Sequence, residues 1–168
     1  MNLTSTRFSL FALSLLSMTV PAYAGTVTTT FPVQVSVSAA CSVAATGFSF
    51  PAYAGSVSVD STSTIDVICA QNLPYQITLN GGSNFNATSG RRRMAGLGTF
   101  LEYQLYQQNG FQTAWGDSGF QGTMPNGTPK AGTGTGGVQQ HTVFGHLYAN
   151  QLVPAGAYSD TVLVTVNF

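Results

Sequence analysis

The stretch VTTTFPVQVSV, residues Val27 to Val37, alternates with a period of two. Val27, Thr29, Phe31, Val33, Val35 and Val37 share one parity. Thr28, Thr30, Gln34 and Ser36 take the other, with Ser38 just beyond. A β-strand throws successive side chains to opposite faces, so this pattern predicts a strand with one face that favours burial. At about 3.3 Å per residue it would run roughly 35 Å, longer than the usual strand of about five or six residues.

Period two recurs downstream. Cys41, Val43 and Ala45 follow the Ala39-Ala40 break, then Ile65, Val67 and Cys69. Tyr75, Ile77 and Leu79 come after Pro74, followed by Leu101, Tyr103 and Leu105, the run Val143 to Tyr148, and last Val162, Val164, Val166 and Phe168. No window sustains an apolar period of about 3.6 residues, so no helix is expected. Gly81-Gly82 and Gln108-Asn109-Gly110 are turn signals between strands. Residues 116–137 are rich in Gly, Thr and Pro and predict a long loop with room for one short strand. Within it, Gly132-x-Gly134-x-Gly136-Gly137 reads as flexible, because no helix and no Walker lysine follow to make it a phosphate cradle. Short strands separated by turns define an all-β antiparallel sandwich or barrel.

Working outward, residues 1–24 read as a cleaved signal peptide. One positive charge precedes an apolar run, Phe8 to Val20, too short for a spanning helix of about 20 residues. Ala22-Tyr23-Ala24 then supplies the small-x-small cleavage pattern, leaving Gly25 as the new terminus. The remaining 168 − 24 = 144 residues suit one domain, with no transmembrane anchor.

The whole chain carries five Lys/Arg and five Asp/Glu. Without a basic patch to neutralise several phosphates, nucleic acid is not an expected partner. So few charges beside 19 glycines suit a surface that is covered by assembly. The two cysteines, Cys41 and Cys69, meet an oxidising compartment after export and predict one disulfide. Closing that loop would stabilise the fold by about 3–4 kcal/mol in the chain-entropy view.

Catalytic machinery is not assembled by any spacing. His141 and His146 would lie on opposite faces of a strand, the acids Asp60, Asp66, Glu102, Asp117 and Asp160 are scattered, and no G-x-S-x-G elbow occurs. We therefore expect no enzyme, no cofactor and no metal. Arg91-Arg92-Arg93 reads as a solvated loop with one arginine paired to a local carboxylate, in preference to an anion-binding patch. Tyr103, Tyr106, Phe111, Trp115 and Phe120 read as core ahead of a carbohydrate platform.

Several segments in order carry a resemblance. They are the first alternating strand running into Ala40-Cys41, Phe48-x-Phe50-x-x-Tyr53, Ile65-x-Val67-x-Cys69, and Pro74-Tyr75-Gln76-Ile77-Thr78-Leu79. Arg93-Met94, Leu101-x-Tyr103-x-Leu105-Tyr106, Trp115-Gly116-Asp117 and Pro154 to Thr161 follow. The chain resembles the spore coat protein U domain family, which includes pilin subunits of archaic chaperone–usher fimbriae. The resemblance implies an incomplete immunoglobulin-like β-sandwich lacking its last strand and completed by donor-strand exchange. It implies residues 25–38 as the donor arm and 39–168 as the pilin domain. The donor face would be Val27, Thr29, Phe31, Val33, Val35 and Val37. The acceptor groove edge would be Val162, Val164, Val166 and Phe168, whose outer side the sequence leaves uncovered. It further implies a periplasmic pilus chaperone, an outer-membrane usher and neighbouring pilin subunits as partners, and a place at the cell surface. A single-domain adhesin or carbohydrate-binding module, or a spore coat or matrix component, are the alternatives.

Overall fold

The computed structural model describes residues 25–120 and 122–168, so the expected signal peptide lies outside the described residues. The chain divides into two units between Ser36 and Val37. Residues 25–40 form no strand, although Val27 to Val37 carry the cleanest alternation in the sequence. Phe31 is 87% exposed, and Val33, Val35 and Val37 are 83%, 90% and 88% exposed. The reason is cooperative: an extended segment becomes a strand only when a neighbour completes its hydrogen-bond ladder, and none does here.

From Cys41 onward the described residues form eight strands. They are β1 (Cys41–Ala45), β2 (Val59–Cys69), β3 (Pro74–Leu79), β4 (Arg92–Gly96), β5 (Thr99–Tyr106), β6 (Lys130–Thr133), β7 (Val138–Leu147) and β8 (Val164–Asn167). They form a five-stranded sheet ordered β1-β2-β7-β5-β4 and a three-stranded sheet ordered β6-β3-β8. Every strand pairing is antiparallel. This is an all-β sandwich of the immunoglobulin-like kind.

The alternation read from sequence sets the core. Ile65, Val67 and Cys69 of β2, Tyr75, Ile77 and Leu79 of β3, and Leu101, Tyr103 and Leu105 of β5 are all buried, with Val143 and Leu147 of β7. Trp115 joins them fully buried, its indole N–H donating to the Ile77 carbonyl at 2.9 Å. Of the aromatics expected inside, Tyr103 and Trp115 are core. Tyr106 and Phe111 are only half-buried, and their rings lie 5.2 Å apart. Phe120 is exposed.

The long segment 116–137 departs from the expected flexible loop. Met124 and Asp117 are buried, and the Met124 N–H donates to Asp117 Oδ1 at 2.7 Å. Gly132 lies inside β6, opposite Tyr75 of β3. A Cβ on Gly132 would stand 2.4 Å from the Tyr75 ring. Glycine is needed there because β6 crosses directly over an aromatic ring, and that close approach is what composition could not distinguish from flexibility.

Replacing Gly132 by Ala forces that ring to move and should destabilise the fold by about 1–3 kcal/mol. Gly137→Ala, where a Cβ meets only the Thr135 hydroxyl at 3.9 Å, should change stability by less than about 0.5 kcal/mol. Thermal melts of the two variants beside the parent protein check the contrast.

Candidate functional site: an open cleft beside β8

β8 stands at the edge of its sheet, and among the described residues no strand pairs with its outer side. Its register fixes which groups face outward. The Asn80 N–H donates to the Leu163 carbonyl at 3.1 Å, making that couple a hydrogen-bonded pair. Antiparallel ladders alternate bonded and non-bonded pairs, so Thr165 and Asn167 also turn their peptide groups toward β3. Val164 and Val166 therefore present their N–H and C=O groups to the open side.

The other sheet is equally bare where β1 forms its edge. Val43 and Ala45 are cross-strand partners of the buried Val67 and Ile65 and so project to the same, inner face. Yet Val43 is 41% exposed. A core-facing valine that sees solvent marks a place where the sandwich lacks cover.

A cleft of about 970 Å³ opens between the segment that follows β1, Ala45 to Gly55, and the segment that leads into β8, Gln151 to Val164. Its floor is core: Ile65, Leu79, Leu101, Tyr103, Val143 and Leu147. Of the expected edge residues, Val162 and Val164 line the cleft, and both pack on the core together with Val166. Phe168 is 61% exposed and stands outside it.

One wall is the segment Thr46 to Gly55, which includes the Phe48-x-Phe50-x-x-Tyr53 run. β1 ends at Ala45, and the Thr46 N–H makes the last backbone bond to β2, reaching the Thr64 carbonyl at 3.0 Å. Beyond it, side chains replace the ladder. Ser63 donates to the Thr46 carbonyl at 2.8 Å and Ser61 to the Ser49 carbonyl at 2.6 Å. Phe48 and Phe50, 5.0 Å apart, dip into the cleft because Gly145 of β7 leaves space beneath them. A Cβ on Gly145 would come within 2.2 Å of the Phe48 ring. The Tyr53 hydroxyl lies 2.9 Å from the Tyr148 carbonyl and accepts the Gln151 N–H at 3.0 Å, tying this wall to the opposite one.

The far end is polar. The Tyr103 hydroxyl donates to Asp160 Oδ2 at 2.7 Å, while Asp160 Oδ1 accepts the N–H groups of Ser83 at 2.8 Å and Thr161 at 2.9 Å. Burial, reinforced by Asp160, raises the Tyr103 phenol far above its ordinary value and keeps it a donor.

Arg92 corrects the reading of the arginine run as a solvated loop. It is fully buried at the start of β4, on the core face opposite Tyr103. Its Nε donates to the Asn80 carbonyl at 2.8 Å, and its Nη2 to the carbonyls of Leu79 at 2.9 Å and Trp115 at 2.7 Å. Its Nη1 donates to Gln104 Oε1. Burial lowers its pKa to about 10, so it is still protonated at neutral pH. The planar guanidinium thus closes off carbonyls at the end of β3, the strand that holds β8. Arg91 is the arginine paired to a local carboxylate, Glu102, at 3.2 Å, and Arg93 lies over the Phe100 ring at 4.3 Å. The missed signal was parity: Arg92 shares a face with Met94, which also packs on the core.

Cys41 and Cys69 form the expected disulfide, and they are also direct cross-strand partners in the β1–β2 register. The histidines lie on opposite faces. His141 Nε2 is 3.0 Å from the Tyr75 hydroxyl, and His146 Nδ1 is 2.6 Å from Asp60.

The family model described as "Spore Coat Protein U domain" matches residues 27–165. Among solved structures, the chain is similar to one from Acinetobacter baumannii, a CsuC–CsuE chaperone–tip adhesion subunit pre-assembly complex from archaic chaperone–usher Csu pili. The TM-score is 0.52 at 25% identity, over 79% of this chain and 40% of that one. The match thus spans less than half the length of that relative. No curated protein matches the chain.

Two outcomes follow from this geometry. Arg92→Met removes the donors of several buried carbonyls and should cost about 3–5 kcal/mol, while Arg92→Lys should fail to restore it because a point charge cannot span them. Denaturation midpoints of both variants measure this. On the pH axis, burial chiefly, with Lys130 adding, lowers the His141 pKa. Its contribution to stability is complete above the ordinary histidine value of about 6.5 and is lost as pH falls through the lower folded value. Burial acts to raise the Glu102 carboxyl, but hydrogen bonds from Ser89, Asn86 and Arg91 outweigh it and hold it low. Glu102 therefore adds a second loss in stronger acid. Midpoints should fall from pH 7.5 to 5.5 and again to 3.5, and His141→Asn should flatten only the first step.

Proposed function

The chain belongs to the Spore Coat Protein U domain family, and we propose that it is a subunit of a chaperone–usher surface fimbrium that polymerises by lending residues 25–38 to the cleft of a neighbour. The observation that carries this reading is a pair of unsatisfied elements in one chain. The cleft beside β8 exposes apolar floor and free peptide groups, and the segment Val27 to Val37 exposes an alternating apolar face without a ladder.

A strand added to β8 satisfies both. Adding an extended segment to a sheet edge is an established mode of recognition, chaperone–pilin complementation among its instances. Backbone bonds supply affinity, and alternate side chains fill the floor. Burying each valine or phenylalanine of the arm is worth about 1.5–3 kcal/mol gross, which exceeds the ordering cost of about 1–2 kcal/mol per residue only because the ladder and several side chains act together. Head-to-tail donation does not close on itself, so the product is a filament.

The same open edge would aggregate if left bare in transit. A periplasmic chaperone that covers the cleft until an outer-membrane usher exchanges it for the next arm meets that need. The similar solved structure, itself a chaperone–subunit complex, supports this order. Residues 1–24 would direct export and be removed after Ala24, and the assembled chain would stand at the cell surface. A free carbohydrate-binding module fits less well, since Trp115 and Tyr103, two of the aromatics for such a platform, are committed to the core.

Assembled protein run unheated on a non-reducing gel should give a ladder of multimers that collapses on heating. Deleting residues 25–38, or placing Asp at both Val33 and Val35, should leave a single band. Fibres formed by the truncated protein would sink the proposal.

A further inference from the structure

We infer that the Cys41–Cys69 disulfide is a tension bypass, which keeps the cleft wall off the mechanical path through a fibre. The inference rests on the proposed lending of the arm. In such a fibre each subunit is pulled from two places: outward through its own arm, which enters the domain at Ala40–Cys41, and outward through the neighbour's arm held at β8.

Without the bridge, the covalent route between those places is long and weak at its start. It runs through β1, a five-residue edge strand whose ladder partner is β2 alone. It then runs through Thr46 to Gly55, the cleft wall, which is held by serine hydroxyls and aromatic contacts in place of a ladder. Tension on the outgoing arm would peel β1 and next draw Phe48 and Phe50 from the cleft that grips the incoming arm. One joint would loosen when the other is pulled.

The disulfide removes that coupling by its position. Cys41 is the first residue of β1, and Cys69 is the last of β2. Only Ala70 to Leu73 separate Cys69 from β3. That turn is braced: Asn72 N–H donates to the Gly134 carbonyl at 2.8 Å, and Gly134 N–H donates to the Leu73 carbonyl at 2.8 Å. β3 in turn pairs with β8 from Gln76–Asn167 to Leu79–Val164. Load entering at Cys41 therefore crosses one sulfur–sulfur bond and one clamped turn to reach the strand beside the acceptor edge. β1 and the wall, both of which lie between the two cysteines in sequence, are left outside the route.

Single fibres pulled in a force spectrometer test this, first oxidised and then after reduction of the assembled fibre, with the free thiols counted by alkylation. Reduction avoids reliance on a variant that fails to fold; fibres of Cys41→Ser, where they assemble, provide the second arm. We expect reduced fibres to lengthen by up to roughly 50 Å more per subunit before a joint parts, the extended span of β1 and the wall, Cys41 to Gly55, at about 3.3–3.6 Å per residue. We also expect the joints to part at no more than half the force. Equal extension and equal force in oxidised and fully reduced fibres would overturn the bypass while leaving arm donation intact. Fibres made by protein lacking residues 25–38 would instead overturn arm donation.

Discussion

The bare outer edge of β8 constrains the whole molecule. A sandwich normally buries its inner faces by closing both sheets over one core. Here the three-stranded sheet ends at β8, and a cleft opens between the stretch that follows β1 and the stretch that leads into β8. Peptide groups of Val164 and Val166 turn away from β3 toward the open side, and Val43 sees solvent from the core side. The fold is thus left with a specific place where a further strand would be favourable.

An incomplete core needs support from elsewhere, and Arg92 supplies much of it. Four acceptors converge on one buried guanidinium, at the Leu79, Asn80 and Trp115 carbonyls and at Gln104. They belong to the end of β3, to β5 and to the segment after it. A charge inside a protein is costly unless fully paired by hydrogen bonds, so its presence holds these elements in a single arrangement. Tyr103 and Asp160 extend the same polar frame to the end of the cleft. The apolar floor is therefore bounded by groups that are fixed without any occupant.

The wall from Thr46 to Gly55 is of another kind. It has left the ladder of β2 and is held by Ser61, Ser63, Tyr53 and two phenylalanines seated over Gly145. Such a segment can adjust to a strand laid against it at less cost than a paired strand could. The disulfide at the head of the same stretch fastens Cys41 directly to the end of β2.

Much of this was legible in the sequence. The period-two runs located the buried faces of β2, β3, β5 and β7, because alternation is a local property that any one-sided strand must show. Two cysteines predicted their own bridge, and turn residues separated the strands. Other features were not local. Gly132 resembles a flexible glycine until Tyr75 is placed beneath it, and Arg92 resembles a surface charge until four acceptors surround it. The segment Thr46 to Gly55 carries no alternation strong enough to mark it as a wall. Its role comes from hydroxyls on a strand twelve to eighteen residues away. The sequence by itself determined which faces seek burial, including that of Val27 to Val37. Only the tertiary structure decided which partners the faces of β2, β3, β5 and β7 find, because burial and pairing depend on neighbours that the order of residues does not place.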